Sequence, residues 1–340
     1  MRAVQVTPTG LEILDVPVPE PGPGEALVKV AGSGLCHSDC MIRHSSVVFL
    51  PDGGSFTIGH EAAGRVEAVG PGVPAGVVGR EVVVHAEYGC GLCTTCRSGH
   101  ERYCPVIKPC RGAGQGFDGG MAEYLVAPAR AVVPLPDGID PVDAGPIDDA
   151  GLTPYHAIRT SLPWLEAGSV AAIIGIGGLG HLAVQILRAM SAATIVAVEP
   201  DPARREFALE LGADVALHPD DDAGARIKAM GTDGASLVLD LVGIDSTLHL
   251  GVAAAATRGK VVCVGAGLGQ YPFSMITTPW ECVLQTTYSG EAWELAQLLT
   301  LVEAGKVRVR TSHIALDEVP DAYDRLDRGE HGVGRLIARP

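Results

Sequence analysis

Basic residues are scarce in this sequence and form no runs. Lysine and arginine total 25 against 40 aspartates and glutamates, which gives a formal net charge of -15 at pH 7. Nucleic acids and anionic membranes are bound by clustered basic side chains, because these neutralise phosphate charge. We therefore expect neither nucleic acid nor membrane as a partner, and we interpret the excess of acidic residues as a contribution to solubility.

Long uninterrupted apolar runs are also missing. The most apolar stretch, residues 169–190, is broken by four glycines, a histidine and an arginine, whereas a membrane-spanning helix needs a nearly continuous apolar segment. The N-terminal residues Met1-Arg2-Ala3-Val4 open directly into a strand-like segment, without the apolar core of a secretion signal. Both features predict a cytoplasmic protein.

Cysteine, by contrast, is present in nine copies. Cytoplasmic thiols stay reduced, so disulfides are not expected. Four of the nine have the spacing C-x2-C-x2-C-x7-C, and they are Cys90, Cys93, Cys96 and Cys104. Four thiolates at short spacings can converge on one tetrahedral Zn²⁺ and leave no open position for a substrate, which predicts a structural zinc site. An iron–sulfur cluster or a set of redox thiols is an alternative that the spacing leaves open.

The length of 340 residues predicts two domains, since single cores rarely grow this large. Residues 1–148 are rich in valine, glycine and proline, and short strand-like runs such as 25–31 are separated by turn residues. This pattern predicts a mainly β domain with an antiparallel, partly closed sheet. Residues 149–288 form the second domain, and residues 289–340 are expected to return to the first.

The second domain alternates six apolar strand-like runs with helical segments, which predicts an α/β fold with a doubly wound parallel sheet. The runs are 170–174, 194–198, 215–217, 237–241, 260–264 and 285–288.

A glycine-rich motif follows the first of these runs and precedes a helical stretch. It reads Gly175-Ile176-Gly177-Gly178-Leu179-Gly180. Between a strand and a helix, this pattern is typical of a dinucleotide-binding turn. Gly175 permits the tight turn, Gly177 lets the backbone approach the pyrophosphate, and Gly180 lets the helix pack closely on the strand. The N–H groups at the start of the helix then bind the negatively charged phosphates, because they lie at the positive end of the helix dipole.

Glu199 ends the next strand-like run, about twenty residues beyond the motif, where an acidic residue binds the adenosine ribose hydroxyls. A carboxylate there repels a 2′-phosphate, so NAD is expected in preference to NADP. Arg204 and Arg205 lie just downstream and are the residues that could tolerate the phosphate.

Further ligand-type residues lie in the first domain. Cys36 stands in Gly34-Leu35-Cys36-His37-Ser38-Asp39, and His60 stands in Gly59-His60-Glu61. A catalytic zinc takes about three protein ligands and keeps one position open. Taken alone, either residue would more often be a packed core side chain.

Together with their neighbours, these motifs resemble those of the zinc-containing medium-chain alcohol dehydrogenases. The match follows the family's order over nearly the whole chain and also includes Gly119 to Tyr124 and Asp149 to Tyr155. It is strongest to the bacterial NAD-dependent secondary-alcohol dehydrogenases. The resemblance implies a GroES-like catalytic domain, a Rossmann cofactor domain, and two zinc ions and NAD as cofactors.

The resemblance also implies the ligands of the catalytic zinc. Cys36 and His60 are two of them. Many members supply a third cysteine upstream of the glycine-rich turn, but here no cysteine is present and Asp149 takes the place, as in a bacterial subgroup. A carboxylate is an acceptable zinc ligand, and the adjacent Asp148 is the alternative.

Four more roles follow from the same resemblance. Glu61 is expected to approach the metal during ligand exchange, and Asp39 to accept the second N–H of His60 and fix its tautomer. His37 takes a position near the cofactor phosphates. Arg335 resembles a late basic residue that reaches the pyrophosphate, and an exposed surface arginine is the alternative.

The implied reaction is hydride transfer between an alcohol and NAD⁺, with reduction of a ketone or aldehyde as its reverse. Zinc acts as a Lewis acid that lowers the pKa of the alcohol, and Ser38 passes the hydroxyl proton on. Met41 stands where some relatives have the histidine that ends the relay, so His44 or a chain of waters is the expected substitute. A solvent-facing loop residue is the alternative for His44. The loop of residues 45–56 and Trp280 are expected to line the substrate pocket, and a merely packed side chain is the alternative for Trp280.

Two other functions remain open at this point. The substrate could be a polyol or a thiol adduct of formaldehyde rather than a simple alcohol. Alternatively, a nucleotide-binding regulatory or structural protein could keep the fold and the four-cysteine zinc. The presence of Cys36, His60 and Ser38 favours the enzyme, because fold alone does not fix function. The resemblance also implies a homotetramer or a homodimer.

Overall fold

The computed structural model describes residues 1–44, 55–107, 112–330 and 332–340. The expectation that the loop of residues 45–56 lines a substrate pocket falls mostly outside these described residues. The chain forms two compact units. They are Met1–Leu152 with Ser289–Glu303 and Val309–Pro340, and Thr153–Tyr288 with Ala304–Arg308. Residues 149–152 therefore belong to the first unit and residues 304–308 to the second. The sequence-based division placed residues 149–152 in the second domain and residues 304–308 in the segment that returns to the first.

The first unit is mainly β. Its strands are β1 (Arg2–Thr7), β2 (Gly10–Asp15), β3 (Glu25–Gly34), β4 (Phe56–Thr57), β5 (Glu61–Val69), β6 (Glu81–Val84), β7 (Gly112–Ala113), β8 (Gly116–Phe117), β9 (Tyr124–Pro128), β10 (Val132–Pro134), β17 (Thr311–Ala315) and β18 (Arg335–Arg339). The largest sheet has the order β10-β6-β5-β3-β18-β17, with β9 also paired to β3, and a three-stranded sheet has the order β2-β1-β4. Most pairs are antiparallel, but β17 and β18 run parallel.

The helices of the first unit have between four and twelve residues. They are α1 (His37–His44), α2 (Thr94–Arg97), α3 (Pro141–Ala144), α9 (Ala292–Glu303) and α10 (Val319–Asp327). A buried apolar cluster joins α1 and α10 to strand β1, and it contains Val4, Leu35, Cys40, Ile58 and Tyr323 among others. This packing fixes α1, which begins directly after Cys36.

The second unit holds the parallel sheet. Its strands are β11 (Val170–Ile174), β12 (Thr194–Val198), β13 (Val215–Leu217), β14 (Ala235–Asp240), β15 (Ala255–Cys263) and β16 (Val283–Thr286), in the order β13-β12-β11-β14-β15-β16. All five pairings are parallel. Strand β11 is buried along its whole length, because helices cover both faces of such a sheet and the strand sequence is correspondingly apolar throughout. The predicted doubly wound fold is confirmed.

The helices between these strands start and stop where local chemistry dictates. They are α5 (Gly180–Met190), α6 (Pro202–Glu210), α7 (Ala223–Lys228) and α8 (Asp245–Ala254), and α4 (Leu152–Arg159) precedes the first strand of the sheet. Helix α6 begins at Pro202 because the Asp201 carboxylate accepts the N–H of Arg204 at 3.0 Å, and proline suits the first helical position. None of the helices in the described part of the chain combines the length and apolar character that crossing a bilayer requires.

Candidate active site and metal centres

Strand pairing brings Cys36 and His60 to one place in the first unit. In the register of β3 and β5, Gly34 lies opposite Glu61. Cys36 lies two residues beyond the end of β3, and His60 immediately precedes β5. Gly34 is required here, because a Cβ at this position would overlap the carboxylate of Glu61. The two candidate ligands therefore converge although 24 positions separate them in the sequence.

Asp149 completes this group. Its Oδ2 atom lies 3.3 Å from Cys36 Sγ and 3.3 Å from His60 Nε2, and the three ligand atoms all lie within 4.8 Å of one another. A thiolate, an imidazole nitrogen and a carboxylate oxygen are a suitable donor set for a zinc ion with an open fourth position. The residues therefore fit the catalytic metal that the sequence implied.

Electrostatics keep Asp149 ready to bind a cation. Burial would raise the pKa of Asp149, but the hydrogen bond from His60 and the charges of His60 and Arg335 hold it well below its ordinary value. The side chain is thus a carboxylate at neutral pH. Together with a thiolate at Cys36, this carboxylate would neutralise the charge of a bound divalent cation.

Asp148 has a different role from the one that the sequence left open. Its Oδ1 lies 2.8 Å from His85 Nδ1, and its Oδ2 accepts the N–H of Ala86 at 2.8 Å. Both oxygens are therefore engaged by His85 and Ala86, and Asp148 is not part of the converging ligand group. The alternative that Asp148 ligates the metal is wrong for this arrangement.

His60 is held by the carboxylate of Asp39. Nδ1 of His60 lies 2.8 Å from Asp39 Oδ1, which leaves Nε2 facing Cys36 and Asp149. Burial would lower the pKa of His60, but the charge of Asp39 and the hydrogen bonds of Asp149 and Asp39 raise it well above its ordinary value. The structure places Asp39 where the sequence predicted it, with the geometry that fixes a ligand's tautomer.

Glu61 and Arg335 form a buried ion pair beside the ligand group. Arg335 is 5% exposed, and its Nε donates to Glu61 Oε2 at 2.8 Å while its Nη2 lies 3.4 Å from Asp149 Oδ2. The alternative of an exposed surface arginine is therefore wrong. Glu61 also accepts the N–H of Ala150 at 3.1 Å and lies outside the converging ligand group. Its approach to a metal, and contact of Arg335 with a cofactor, stay predictions.

The residues of the expected proton relay lie on α1. Ser38 Oγ is 3.6 Å from Cys36 Sγ, and Ser38 and His37 are both exposed. His44 lies at the end of the helix with its side chain 62% exposed and its Nε2 2.7 Å from Asp327 Oδ2. The structure thus brings Ser38 to the ligand group, and it leaves the His44 side chain exposed to solvent and in contact with Asp327.

The four cysteines form a second metal centre. Their sulfurs are 3.4 to 3.9 Å apart in the pairs Cys90–Cys96, Cys93–Cys96 and Cys93–Cys104, and all four lie within 4.8 Å of one another. Four sulfurs at about 2.3 Å from one tetrahedral zinc would be about 3.8 Å apart, so the spacing fits a single ion. Although burial would raise it, N–H donors including those of Ile107 and Cys90 lower the pKa of the Cys104 thiol to about 6. The backbone thus favours the thiolate.

In the second unit, the glycine-rich turn has the predicted form. Gly175 has φ +90°, which side-chain-bearing residues rarely adopt. A Cβ on Gly180 would overlap the carbonyl oxygen of Gly175, so the start of α5 can pack here only as glycine. The space around Gly177 is open, since a Cβ there would meet no atom within 4 Å. Gly178 and Leu179 complete the turn.

Glu199 fastens this turn to the end of β12. Its Oε2 accepts the N–H of Ile176 at 2.7 Å, and its Oε1 accepts the N–H of Asp201 at 3.1 Å. The carboxylate therefore lies next to the glycine-rich turn. Arg205 donates to the carbonyls of Glu199 and Pro200, and Arg204 lies partly buried on the first turn of α6.

Sequence reasoning missed Tyr323. Its hydroxyl donates to Asp39 Oδ2 at 2.7 Å across 284 positions of sequence. The periodicity of α10 identifies Tyr323 as a core residue, but no local pattern links it to the metal site. A hydrogen bond between residues so distant in sequence appears only once the fold is known.

Two protein families' models match the chain. Residues 22–137 match the alcohol dehydrogenase GroES-like domain, and residues 178–304 match the zinc-binding dehydrogenase domain.

Known proteins are similar over the full length. D-arabinose 1-dehydrogenase (NADP(+)) of Saccharolobus solfataricus is 34% identical over 97% of this chain and 94% of that protein. An NAD-dependent alcohol dehydrogenase of Sulfurisphaera tokodaii is 32% identical over 100% of both chains. The crystal structure of the alcohol dehydrogenase from Aeropyrum pernix superposes with a TM-score of 0.91, at 31% identity and with 100% of both chains covered.

The chain therefore belongs to the zinc-containing medium-chain alcohol dehydrogenase family. The predicted combination of a GroES-like domain with a Rossmann-type domain is confirmed. The predicted enzyme class is confirmed as well: the protein is a zinc-dependent oxidoreductase that uses NAD and acts on alcohols.

Proposed function

We propose that Cys36, His60 and Asp149 hold the zinc at which this enzyme oxidises an alcohol to a ketone or aldehyde. The observation that carries the proposal is the convergence of the three ligand atoms within 4.8 Å. A bound zinc would supply Lewis-acid polarisation of the substrate oxygen, and NAD⁺ would accept the hydride. The protein's own groups then bind, orient and deprotonate the substrate.

Ser38 is the residue that we propose for moving the proton. Its Oγ lies beside the ligand group, 3.6 Å from Cys36 Sγ, within reach of a hydroxyl bound there. Because Ser38 is exposed on the first turn of α1, it can hand the proton to solvent without a histidine. His44 is engaged with Asp327 at the other end of the helix, so a chain of waters fits the relay better than His44 does.

NAD is proposed as the cofactor bound at residues 175–180, with its adenosine ribose at Glu199. The support is a carboxylate fixed by two backbone N–H groups beside the turn. A 2′-phosphate would meet this charge directly, which disfavours NADP. Arg335 and His37 are proposed to contact the phosphates, and Arg204 is the residue that could relax the preference.

We further propose that the chain assembles as a homo-oligomer through the second unit. Strand β16 ends the parallel sheet among the described strands. Next to it, the segment 268–280 exposes large apolar side chains, with Ile276 at 91% exposure. They are Leu268, Phe273, Met275, Ile276 and Trp280. Exposed strand edges and neighbouring exposed apolar side chains are unfavourable in water, and a second copy of the chain would cover both. Light scattering of Ile276→Asp should then show a smaller assembly than the wild type.

The cytoplasm remains the proposed location. The support is chemical, since the proposed metal sites need five reduced cysteines in all, and thiols stay reduced in that compartment.

A polyhydroxylated alcohol is the second candidate substrate. The support is the relative from Saccharolobus solfataricus, which is 34% identical to this chain and is named for a sugar substrate. Comparing kcat/KM for 2,3-butanediol and 2-butanol separates the two, because only a polyhydroxylated preference makes the diol the better substrate.

The experiment that tests the proposed function is a screen of primary and secondary alcohols with NAD⁺ and NADP⁺, followed by absorbance of the reduced nicotinamide. We expect turnover of at least one alcohol class, faster with NAD⁺. Absence of turnover with every alcohol, from protein that contains its zinc, would favour the regulatory or structural alternative.

A further inference from the structure

The carboxylate of Asp39 contacts both Cys36 and His60, two of the proposed metal ligands. Its Oδ1 lies 2.8 Å from His60 Nδ1. Its Oδ2 accepts the backbone N–H of Cys36 at 3.0 Å and the hydroxyl of Tyr323 at 2.7 Å. One rotamer of Asp39 therefore sets the ring of His60 and the backbone of Cys36 at once.

Tyr323 is the residue that holds this rotamer from outside the motif. It lies on α10, has no exposed surface and packs in the cluster with Leu35, Cys40 and Ile58. Burial and the neighbouring carboxylate of Asp39 raise the pKa of Tyr323 well above its ordinary value. The phenol therefore stays protonated and donates its hydrogen to Asp39 Oδ2.

We infer that Tyr323 is a positioning residue for the catalytic metal, acting through Asp39 on His60 and Cys36. The inference rests on the proposed zinc site but assigns a role that the ligand motif does not contain. Without the Tyr323 hydroxyl, Asp39 would keep only the hydrogen bonds to the Cys36 N–H and to His60 Nδ1. Because Asp39 is proposed to orient both of these residues, its carboxylate could then rotate together with them and would no longer fix their positions.

The ring and the hydroxyl of Tyr323 contribute separately. The ring fills the apolar cluster, and phenylalanine would fill it equally. Only the hydroxyl reaches Asp39. Tyr323→Phe is therefore expected to fold, and its effect should appear in metal binding rather than in packing. Tyr88→Phe is the matched control, because Tyr88 is also buried in the first unit and its hydroxyl has no hydrogen-bond partner among the described residues.

The first measurement is zinc affinity by competition with a chelator, without substrate or cofactor. The four-cysteine zinc serves as the internal reference. Loss of partners behind a metal ligand typically weakens metal binding about 10- to 100-fold. We expect Tyr323→Phe to weaken the Cys36 site about 10-fold, and Tyr88→Phe to leave both sites unchanged. Equal zinc affinity in the wild type and Tyr323→Phe would overturn the inference.

Cobalt substitution gives a readout that a purely structural role would not move. Cobalt bound at Cys36 and His60 absorbs visible light at wavelengths set by ligand geometry. We expect the spectrum of Tyr323→Phe to shift and that of Tyr88→Phe to match the wild type. An unshifted spectrum would contradict a positioning role even if the variant were less stable.

A double-mutant cycle tests whether Tyr323 acts through Asp39. In an Asp39→Asn background, the added Tyr323→Phe change should weaken zinc binding by less than in the wild type, because the two residues act as one unit. Additive losses of zinc affinity in the two single variants would show that Tyr323 does not act through Asp39, which would overturn the inference. If the wild type itself binds no zinc at Cys36, the proposed function fails instead, so the two failures are distinguishable.

Discussion

Asp148 and Asp149 are adjacent in the chain, yet their carboxylates contact two different histidines. Asp148 Oδ1 lies 2.8 Å from Nδ1 of buried His85, whereas Asp149 Oδ2 lies 3.3 Å from Nε2 of His60. The turn of 3₁₀ helix at Gly145–Ile147 precedes them and directs successive side chains apart. Asp148 is thus bonded to a buried histidine, and Asp149 is the residue that we propose as a ligand of the catalytic zinc.

Conservative changes at these two positions should therefore have different effects. Asp149→Asn removes an anionic ligand, and we expect the catalytic zinc to be lost and turnover to fall more than about 100-fold. Asp148→Asn should keep its zinc but lose about 3 kcal/mol of stability, because a buried charge left without its partner costs about 3–5 kcal/mol. Zinc analysis and denaturant unfolding of both variants check this. If Asp148→Asn lost the zinc and Asp149→Asn kept it, the ligand assignment would be reversed.

The four-cysteine centre should contribute stability rather than chemistry. Cys96→Ser opens a closed site, and we expect the variant to keep about one zinc per chain while its Tm falls by at least about 5 °C. Cys282→Ser is the control, since Cys282 belongs to no ligand group in the described chain. A Cys96→Ser protein with the Tm of the wild type would argue against a structural metal.

The cofactor preference should depend on the charge of Glu199. Glu199→Gln keeps an oxygen that can accept the N–H of Ile176 but removes the charge that repels a 2′-phosphate. We expect kcat/KM with NADP⁺, relative to NAD⁺, to rise about 10-fold, a change of about 1.4 kcal/mol. Glu206→Gln, an exposed change on α6, should leave the ratio as it is. An unchanged ratio in Glu199→Gln would remove Glu199 from the account of specificity.

Glu87 should make stability depend on pH. Burial raises the pKa of Glu87 to about 7 from an ordinary value of 4.5. The folded protein therefore holds this proton more tightly than the unfolded chain does. Its contribution to stability is fully present below about pH 4.5 and is lost as pH rises through about 7. The difference in unfolding free energy between Glu87→Gln and wild type should accordingly grow in favour of the variant from pH 5 to 8. A pH-independent difference would show that Glu87 ionises freely in the folded state.

Local patterns in the sequence predicted much of this molecule. Gly175 to Gly180 could be placed on a strand–turn–helix because each glycine has a steric reason that the sequence displays. The four cysteines could be assigned because their spacing is short. Asp149 could be chosen over Asp148 only by resemblance, since periodicity does not tell which way each side chain points. Tyr323 and the pairing of Arg335 with Glu61 could not be predicted, because contacts across more than 270 positions depend on the finished fold.

The most direct test of the account is a zinc count paired with NADH formation in the wild type and in Cys36→Ser. We predict about two zincs per chain in the wild type and alcohol-dependent formation of NADH. Cys36→Ser should remain folded, keep about one zinc and form no NADH. A Cys36→Ser protein that kept both zincs and full turnover would contradict the assignment of Cys36, His60 and Asp149 as the catalytic metal site.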